Sequence, residues 1–284
     1  MAQPSPTPDF TLVLGGGGVA GIAWQIGLIS GLADLGLDLT RARAVLGTSA
    51  GSAVGAKITA GVPIAEVYAG QLEGVPYEIS KGFVGSDLLK FLLASALPGT
   101  AEAASKRVAR LALAKRVGSV GERRAVIEAR LGRHDWTAAD LRIVTVDATT
   151  GEPRIVTSYD GVSLVDAVSA SCAVPLIWPP VEIEGRRYID GGVRSPLNLD
   201  LAPGDGPVIA LAPTVVAFRR SSRVPAQRKR LGQRQVEVVT FSGEAKQAQG
   251  KNSLDKSVVP AVARAGWAQA QAELARLQTL LQRA

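Results

Sequence analysis

Ser49 lies in Gly47-Thr48-Ser49-Ala50-Gly51, which has the G-x-S-x-G form of a nucleophile elbow. Glycines on either side permit a cramped strand-to-helix turn that pushes the serine hydroxyl into the open. The turn also puts Ser49 at a helix start, where the N-terminal dipole favours developing negative charge. The five-residue pattern alone is common and serves ordinary turns as well. Its setting points to chemistry, because the apolar run Ala44-Val45-Leu46 precedes it and a small-residue helix, residues 52 to 60, follows.

A serine hydroxyl is a poor nucleophile until a base takes its proton, and the usual base is an imidazole held by a carboxylate. The sequence has one histidine, His134, in the polar segment Gly132 to Trp136, where a lone histidine is ordinarily just exposed. If Ser49 is catalytic, a carboxylate is expected to act directly. The best placed is Asp190, which follows the run Arg186-Arg187-Tyr188-Ile189 and is freed by Gly191 and Gly192. The competing use of Asp-Gly-Gly is a simple turn.

Five glycines, Gly15 to Gly18 and Gly21, crowd a seven-residue stretch. Glycine is entropically costly, so this density implies close approach of the backbone to something. Consecutive N–H groups beside a helix start form an anion site, for a phosphate or for the oxyanion of acyl transfer. Gly16, Gly18 and Gly21 also fit the dinucleotide fingerprint, which requires an acid at the end of the second strand. That strand ends in Leu46-Gly47-Thr48, and Asp34 and Asp38 precede it, so dinucleotide binding is disfavoured.

The elements that must position these residues alternate. Phe10 to Leu14 reads as a buried strand, followed by the glycine loop and a helix with Ile22, Ile26, Ile29 and Leu32 at helical spacing. The elbow repeats this strand, turn and helix order, which argues for a parallel or mixed sheet covered by helices. Residues 64 to 131 read as helical throughout, an insertion or cap. Strands are expected at 142–146 and 153–157, a hairpin at 181–189, further strands at 207–211 and 235–240, and a long helix from about 260 to 282. The run from Arg219 to Arg234 holds seven cations and no acid, and reads as a solvated loop.

With 284 residues and 46% hydrophobic content, the chain suits one sizeable core, so residues 1–284 are expected to form a single domain. Its core is expected over about 10–215, with the helical insertion at 64–131 and a C-terminal strand and helix at 235–284. Residues 1 to 9 lack the segments of a secretory signal, and the apolar runs are too short to span a bilayer, so a cytoplasmic location is expected. A single cysteine, Cys172, and a single histidine exclude an internal disulfide and a Cys/His zinc cluster. No metal is expected.

Three pieces together resemble the patatin-like phospholipases. Residues 12 to 18 are similar to that family's opening strand and oxyanion loop, Gly47 to Gly51 to its elbow, and Asp190-Gly191-Gly192 to its Asp-Gly-Gly box, in the same order and spacing. Ala170-Ser-Cys-Ala-Val-Pro175, with Trp178 and Pro179, is similar to the block preceding that box. The resemblance covers roughly residues 10 to 61 and 142 to 212. It implies a three-layer α/β sandwich with a central, mostly parallel mixed sheet. It also implies a Ser49–Asp190 dyad that cleaves lipid acyl esters through an acyl-enzyme, no cofactor, and amides near Gly16, Gly17 and Gly18 that hold the oxyanion. The family usually carries Arg or Lys before the last glycine of the loop, where this sequence has Ala20.

An acyltransferase or thioesterase on the same dyad, or a silent lipid-binding protein, remains an alternative. The net charge of +7 favours anionic partners. Nucleic acid is discounted, because only 4 Tyr and 5 Phe are present and none is patterned with the basic runs. A peripheral contact with an anionic membrane surface is the partner that the basic runs suggest.

Overall fold

The computed structural model describes residues 9–80, 82, 84–132 and 135–283. Eight strands are assigned: β1 (Thr11–Leu14), β2 (Ala44–Thr48), β3 (Asp140–Asp147), β4 (Pro153–Val156), β5 (Val181–Ile183), β6 (Arg186–Asp190), β7 (Val208–Ala212) and β8 (Val236–Thr240). The helices are α1 (Gly18–Asp34), α2 (Ala50–Ile58), α3 (Ile64–Glu73), α4 (Asp87–Ala96), α5 (Ala101–Ala114), α6 (Val120–Leu131), α7 (Leu164–Ser171), α8 (Val224–Arg230), α9 (Gly243–Gln249) and α10 (Val259–Gln282). All eight strands join one mixed sheet in the order β5-β6-β3-β2-β1-β7-β8, with β4 also paired to β3. The contacts among β3, β2, β1, β7 and β8 are parallel, and those of β4, β5 and β6 are antiparallel.

Side chains alternate across the sheet, so successive strand residues serve different layers. Leu12, Leu14, Val45, Ile209 and Leu211 join one core with α1, α2, α7 and α10. Val13, Leu46, Val144, Val208 and Ala210 join another with Leu197, Leu199, Val224 and Leu231. Near the β3–β6 end, Val146 and Ile189 pack against Ala109 and Ala112 of α5. The result is a sheet between two helical layers.

Helix α1 is buried on every side from Val19 to Leu32, which an amphipathic surface helix would not be. It achieves this by close contact with α10. A Cβ on Gly27 would stand 2.1 Å from the Ala263 carbonyl, one on Gly31 2.5 Å from that of Trp267, and one on Gly266 2.4 Å from that of Trp24. The Trp24 indole closes the crossing by donating to Gln269 Oε1 at 2.9 Å.

The basic run from Arg219 to Arg234 is not the solvated loop its composition suggests. It forms a 3₁₀ turn and α8, and several of its arginines are tied down while Arg220 stays exposed. Arg234 donates to the carbonyls of Ala202, Pro203 and Gly206, Arg230 pairs with Asp200, and Arg228 reaches the carbonyl of Val236. Guanidinium groups here satisfy backbone carbonyls and a carboxylate in neighbouring parts of the fold. No helix among the described residues is long and apolar enough to cross a membrane.

Gly266→Ala should lower stability by about 1–3 kcal/mol through overpacking against the Trp24 carbonyl. Gly70→Ala, in α3 with nothing within 4 Å of the added Cβ, should instead raise it by about 0.5–1 kcal/mol. Urea unfolding of the two variants checks the contrast.

Candidate active site

Strand β2 ends at Thr48, and Ser49 turns the chain into α2 with φ 52° and ψ −117°. A non-glycine residue in this region is held there by its surroundings at a cost on the order of 1–3 kcal/mol. Those surroundings are visible. The Ser49 amide donates to Ser171 Oγ at 2.9 Å, and that hydroxyl donates to the Val144 carbonyl at 2.7 Å. The Ser49 carbonyl accepts from Ser52 Oγ at 2.6 Å and from the Cys172 thiol at 3.2 Å. Beneath the turn, a Cβ on Gly51 would lie 1.9 Å from the Leu14 carbonyl and one on Gly47 2.6 Å from the Gly51 carbonyl. Both glycines are therefore required by the packing of α2 onto β1 and β2.

Asp190 arrives from a different direction. Thr48 is the register partner of Val144, and Asp190 is the partner of the next residue, Thr145. Consecutive positions of β3 thus place the ends of β2 and β6 level with each other on its two sides, and Ser49 Oγ donates to Asp190 Oδ2 at 2.7 Å. The other carboxylate oxygen accepts from the Gly192 amide at 2.7 Å. Gly191 packs against β3, where a Cβ would stand 2.4 Å from the Val144 carbonyl. Burial raises the Asp190 pKa to about 6, against the lowering effect of the Ser49 hydroxyl, the Gly192 amide and the Arg123 charge.

The glycine loop lies at the end of β1, next to β2 in the sheet, so Gly16, Gly17 and Gly18 line the same cavity as Ser49 and Asp190. Their amides are not equivalent. The Gly16 N–H donates to the Pro196 carbonyl at 2.8 Å, which corrects the expectation that it faces an oxyanion. Gly21 likewise donates to the Gly17 carbonyl at 2.9 Å, and it packs against Pro213. Gly17 and Gly18 have no amide partner among the described residues. Gly18 also holds φ at +65°, with Ser253 pressed against it. Ala20 is buried and donates its amide to the Ser253 carbonyl at 3.1 Å. His134 lies outside the described residues.

The cavity measures about 360 Å³, within the usual range of small-molecule sites. Ile22, Phe91, Val174, Ile177, Trp178 and Leu254 make much of its wall apolar. Its polar side contains groups that the sequence did not single out. Arg130 and Glu78 form a buried bidentate ion pair at 2.6 and 2.8 Å. Arg123 lies over the Trp178 ring at 4.4 Å and donates to the Cys172 carbonyl at 3.2 Å. Burial and then the charge of Arg130 lower the Arg123 pKa to about 10, so the guanidinium stays cationic at neutral pH. Ser171 and Cys172, by contrast, belong to a block that stood out in the sequence, although no role was evident for either.

The profile of the patatin-like phospholipase family matches residues 12–203. The chain belongs to this family, and its sheet and layers are the family's α/β three-layer sandwich. Membership supports a lipid acyl hydrolase as the general activity and a lipid as the general kind of substrate. Among solved structures, VipD from Legionella pneumophila is similar at 13% identity and TM-score 0.49, covering 96% of this chain and 67% of its own. The type III effector protein ExoU is similar at 13% identity and TM-score 0.42, covering 95% and 53%. Human GIVD cytosolic phospholipase A2, in complex with methyl gamma-linolenyl fluorophosphonate, is similar at 9% identity and TM-score 0.41, covering 99% and 60%. The chain thus spans between about half and two thirds of the length of these three. No curated protein matches it by sequence.

Arg130→Met should destabilise the fold by about 3–5 kcal/mol, because Glu78 would be left buried without its counter-charge. Adding Glu78→Gln should recover much of that loss. Urea unfolding of the single and double variants measures both.

Proposed function

We propose that this chain hydrolyses carboxylic esters of lipids through an acyl-enzyme on Ser49, with Asp190 as general base and the Gly17 and Gly18 amides as oxyanion donors. The observation that carries this reading is the 2.7 Å hydrogen bond from Ser49 Oγ to Asp190 Oδ2 at a largely apolar cavity. Ser49 Oγ attacks the ester carbonyl carbon while its proton passes to Asp190 Oδ2. The carbonyl oxygen becomes an oxyanion, stabilised by amide donors already in place. Collapse breaks the bond to the alcohol oxygen, which leaves with the proton from Asp190. Water then attacks the acyl-enzyme, gives a proton to Asp190, and releases the fatty acid as that proton returns to Ser49 Oγ.

A carboxylate is ordinarily too weak a base for this task. Burial improves it, since a group with pKa about 6 holds a proton more firmly than one with the usual value and is still ionised at neutral pH. The Gly192 amide fixes Oδ1 and so leaves Oδ2 aimed at the serine.

Ser49→Ala should abolish labelling by a fluorophosphonate probe, and Asp190→Asn should reduce it strongly. Both should lower ester hydrolysis by at least about 10⁴-fold without unfolding the chain. Retained labelling in Ser49→Ala would refute the assignment. The base form of Asp190 dominates above its pKa, so kcat/KM of the wild type should rise through about pH 6 and then level off. A rate that is flat from pH 5 to 8 would count against Asp190 as the base.

A further inference from the structure

Helix α4 buries little of its apolar surface. Of its residues only Asp87 and Ala94 are buried, whereas Leu89 is 58% and Leu93 56% exposed, and Leu88 and the following Leu97 are also exposed. A second apolar segment, Val215, Val216 and Phe218, stands exposed after β7. Arg219, the residue after Phe218, fastens the two together by donating to the carbonyls of Ser95, Leu97 and Gly99, and Arg107 of α5 donates to those of Ala94 and Leu97. Both arginines satisfy acceptors at the end of α4, and Arg219 holds it beside the 215–218 segment. Scattered apolar residues on a surface need no explanation, but a contiguous set on two bonded segments does.

The patch also continues inward. A groove of about 200 Å³ runs between Phe91 and Ser95 of α4 and residues 216–218, and it shares Phe91, Gly192, Val193 and Pro196 with the cavity that holds Ser49. Lys90 and Arg220 are exposed beside the apolar residues, and Asp87, the one acid of α4, is buried against Lys115 and Lys90. The patch is therefore apolar, bordered by positive charge and open to the candidate active site.

We propose that α4 and residues 215–218 form a face that docks on the surface of a bilayer containing anionic lipid and admits a lipid ester to Ser49 through the groove. This rests on the ester-hydrolase reading of the cavity. Charge complementarity selects the occupant: exposed cations draw the face to anionic head groups, and leucines at the boundary then enter the acyl region. A protein partner would have no reason to need a surface continuous with a buried ester site.

The test uses the full chain with vesicles of phosphatidylcholine alone and of phosphatidylcholine mixed with phosphatidylglycerol, read by co-sedimentation, beside hydrolysis of a short soluble ester. Wild type should sediment with the mixed vesicles more than with the neutral ones, and added salt should reduce the difference. Leu89→Glu/Leu93→Glu, and separately Val215→Glu, should reduce vesicle partitioning at least about tenfold while soluble-ester hydrolysis stays within about twofold. Tyr159→Glu, at a still more exposed site in the turn after β4, should change neither. Wild type that fails to sediment, or patch variants that sediment like wild type, would overturn the proposal. So would a wild-type dimer, seen by analytical ultracentrifugation, that the patch variants dissociate without any vesicle binding. Vesicle binding without hydrolysis of the soluble ester or of the vesicle phospholipid would leave the docking face standing and refute the hydrolase reading.

Discussion

The register of β3 is the constraint on which the site depends. Val144 faces the last residue of β2 and Thr145 faces the last residue of β6, so two strands far apart in sequence end at the same level on either side of β3. A slip of one residue would turn Asp190 to the other face of the sheet and separate it from the serine. Ser171 reinforces the register, because its hydroxyl links the Ser49 amide to the carbonyl of the same Val144. Gly191 completes the arrangement by packing where no side chain fits. The short bond between Ser49 and Asp190 is thus a result of sheet geometry, with little left to side-chain chance.

Electrostatics of the cavity follow from what surrounds that bond. An ionised carboxylate is poorly solvated there, so its proton affinity rises, and Arg123 limits the rise without forming a direct ion pair. Arg130 brings a second cation, but Glu78 neutralises it through two hydrogen bonds. The buried charges therefore stay nearly balanced while Asp190 keeps only the serine and one amide as partners. Under the proposed mechanism this is useful, since a base locked in a strong ion pair would take a proton less readily.

Much of this was legible in the sequence where local backbone rules decide the outcome. The apolar runs ending in glycines identified β1 and β2, and the Glu184-Gly185 pair marked the hairpin of β5 and β6, where both residues take positive φ as a two-residue turn requires. The glycine settings of Ser49 and Asp190 drew both out of the sequence as candidates, and the lack of a suitable histidine pointed to Asp190 as a direct base before the family resemblance added the dyad. Arg123, Arg130 and Glu78 were invisible because a charged residue on a helix reads as solvated unless its partner is known. Glu78 and Arg130 are far apart in sequence, and no periodicity links them. The arginines from 219 to 234 misled for the same reason, since most of the acceptors they satisfy lie in other parts of the fold. Gly16 misled differently: composition indicates that a loop is rich in amides, not which of them the rest of the fold has already engaged.

Strand β7 gives the family match a physical limit. The matched residues end at 203, yet β7 lies inside the sheet, paired with β1 on one side and β8 on the other, and its Leu211 carbonyl receives the Gly15 amide at the base of the glycine loop. A fragment cut at the end of the match would leave β1 as an open edge, its ladder groups unpaired, and would strip α10 from the glycine face of α1. Such an edge invites pairing between molecules. The stretch that carries the recognisable motifs is therefore a recognition unit rather than a folding unit, and excising it would trade an intramolecular strand for aggregation.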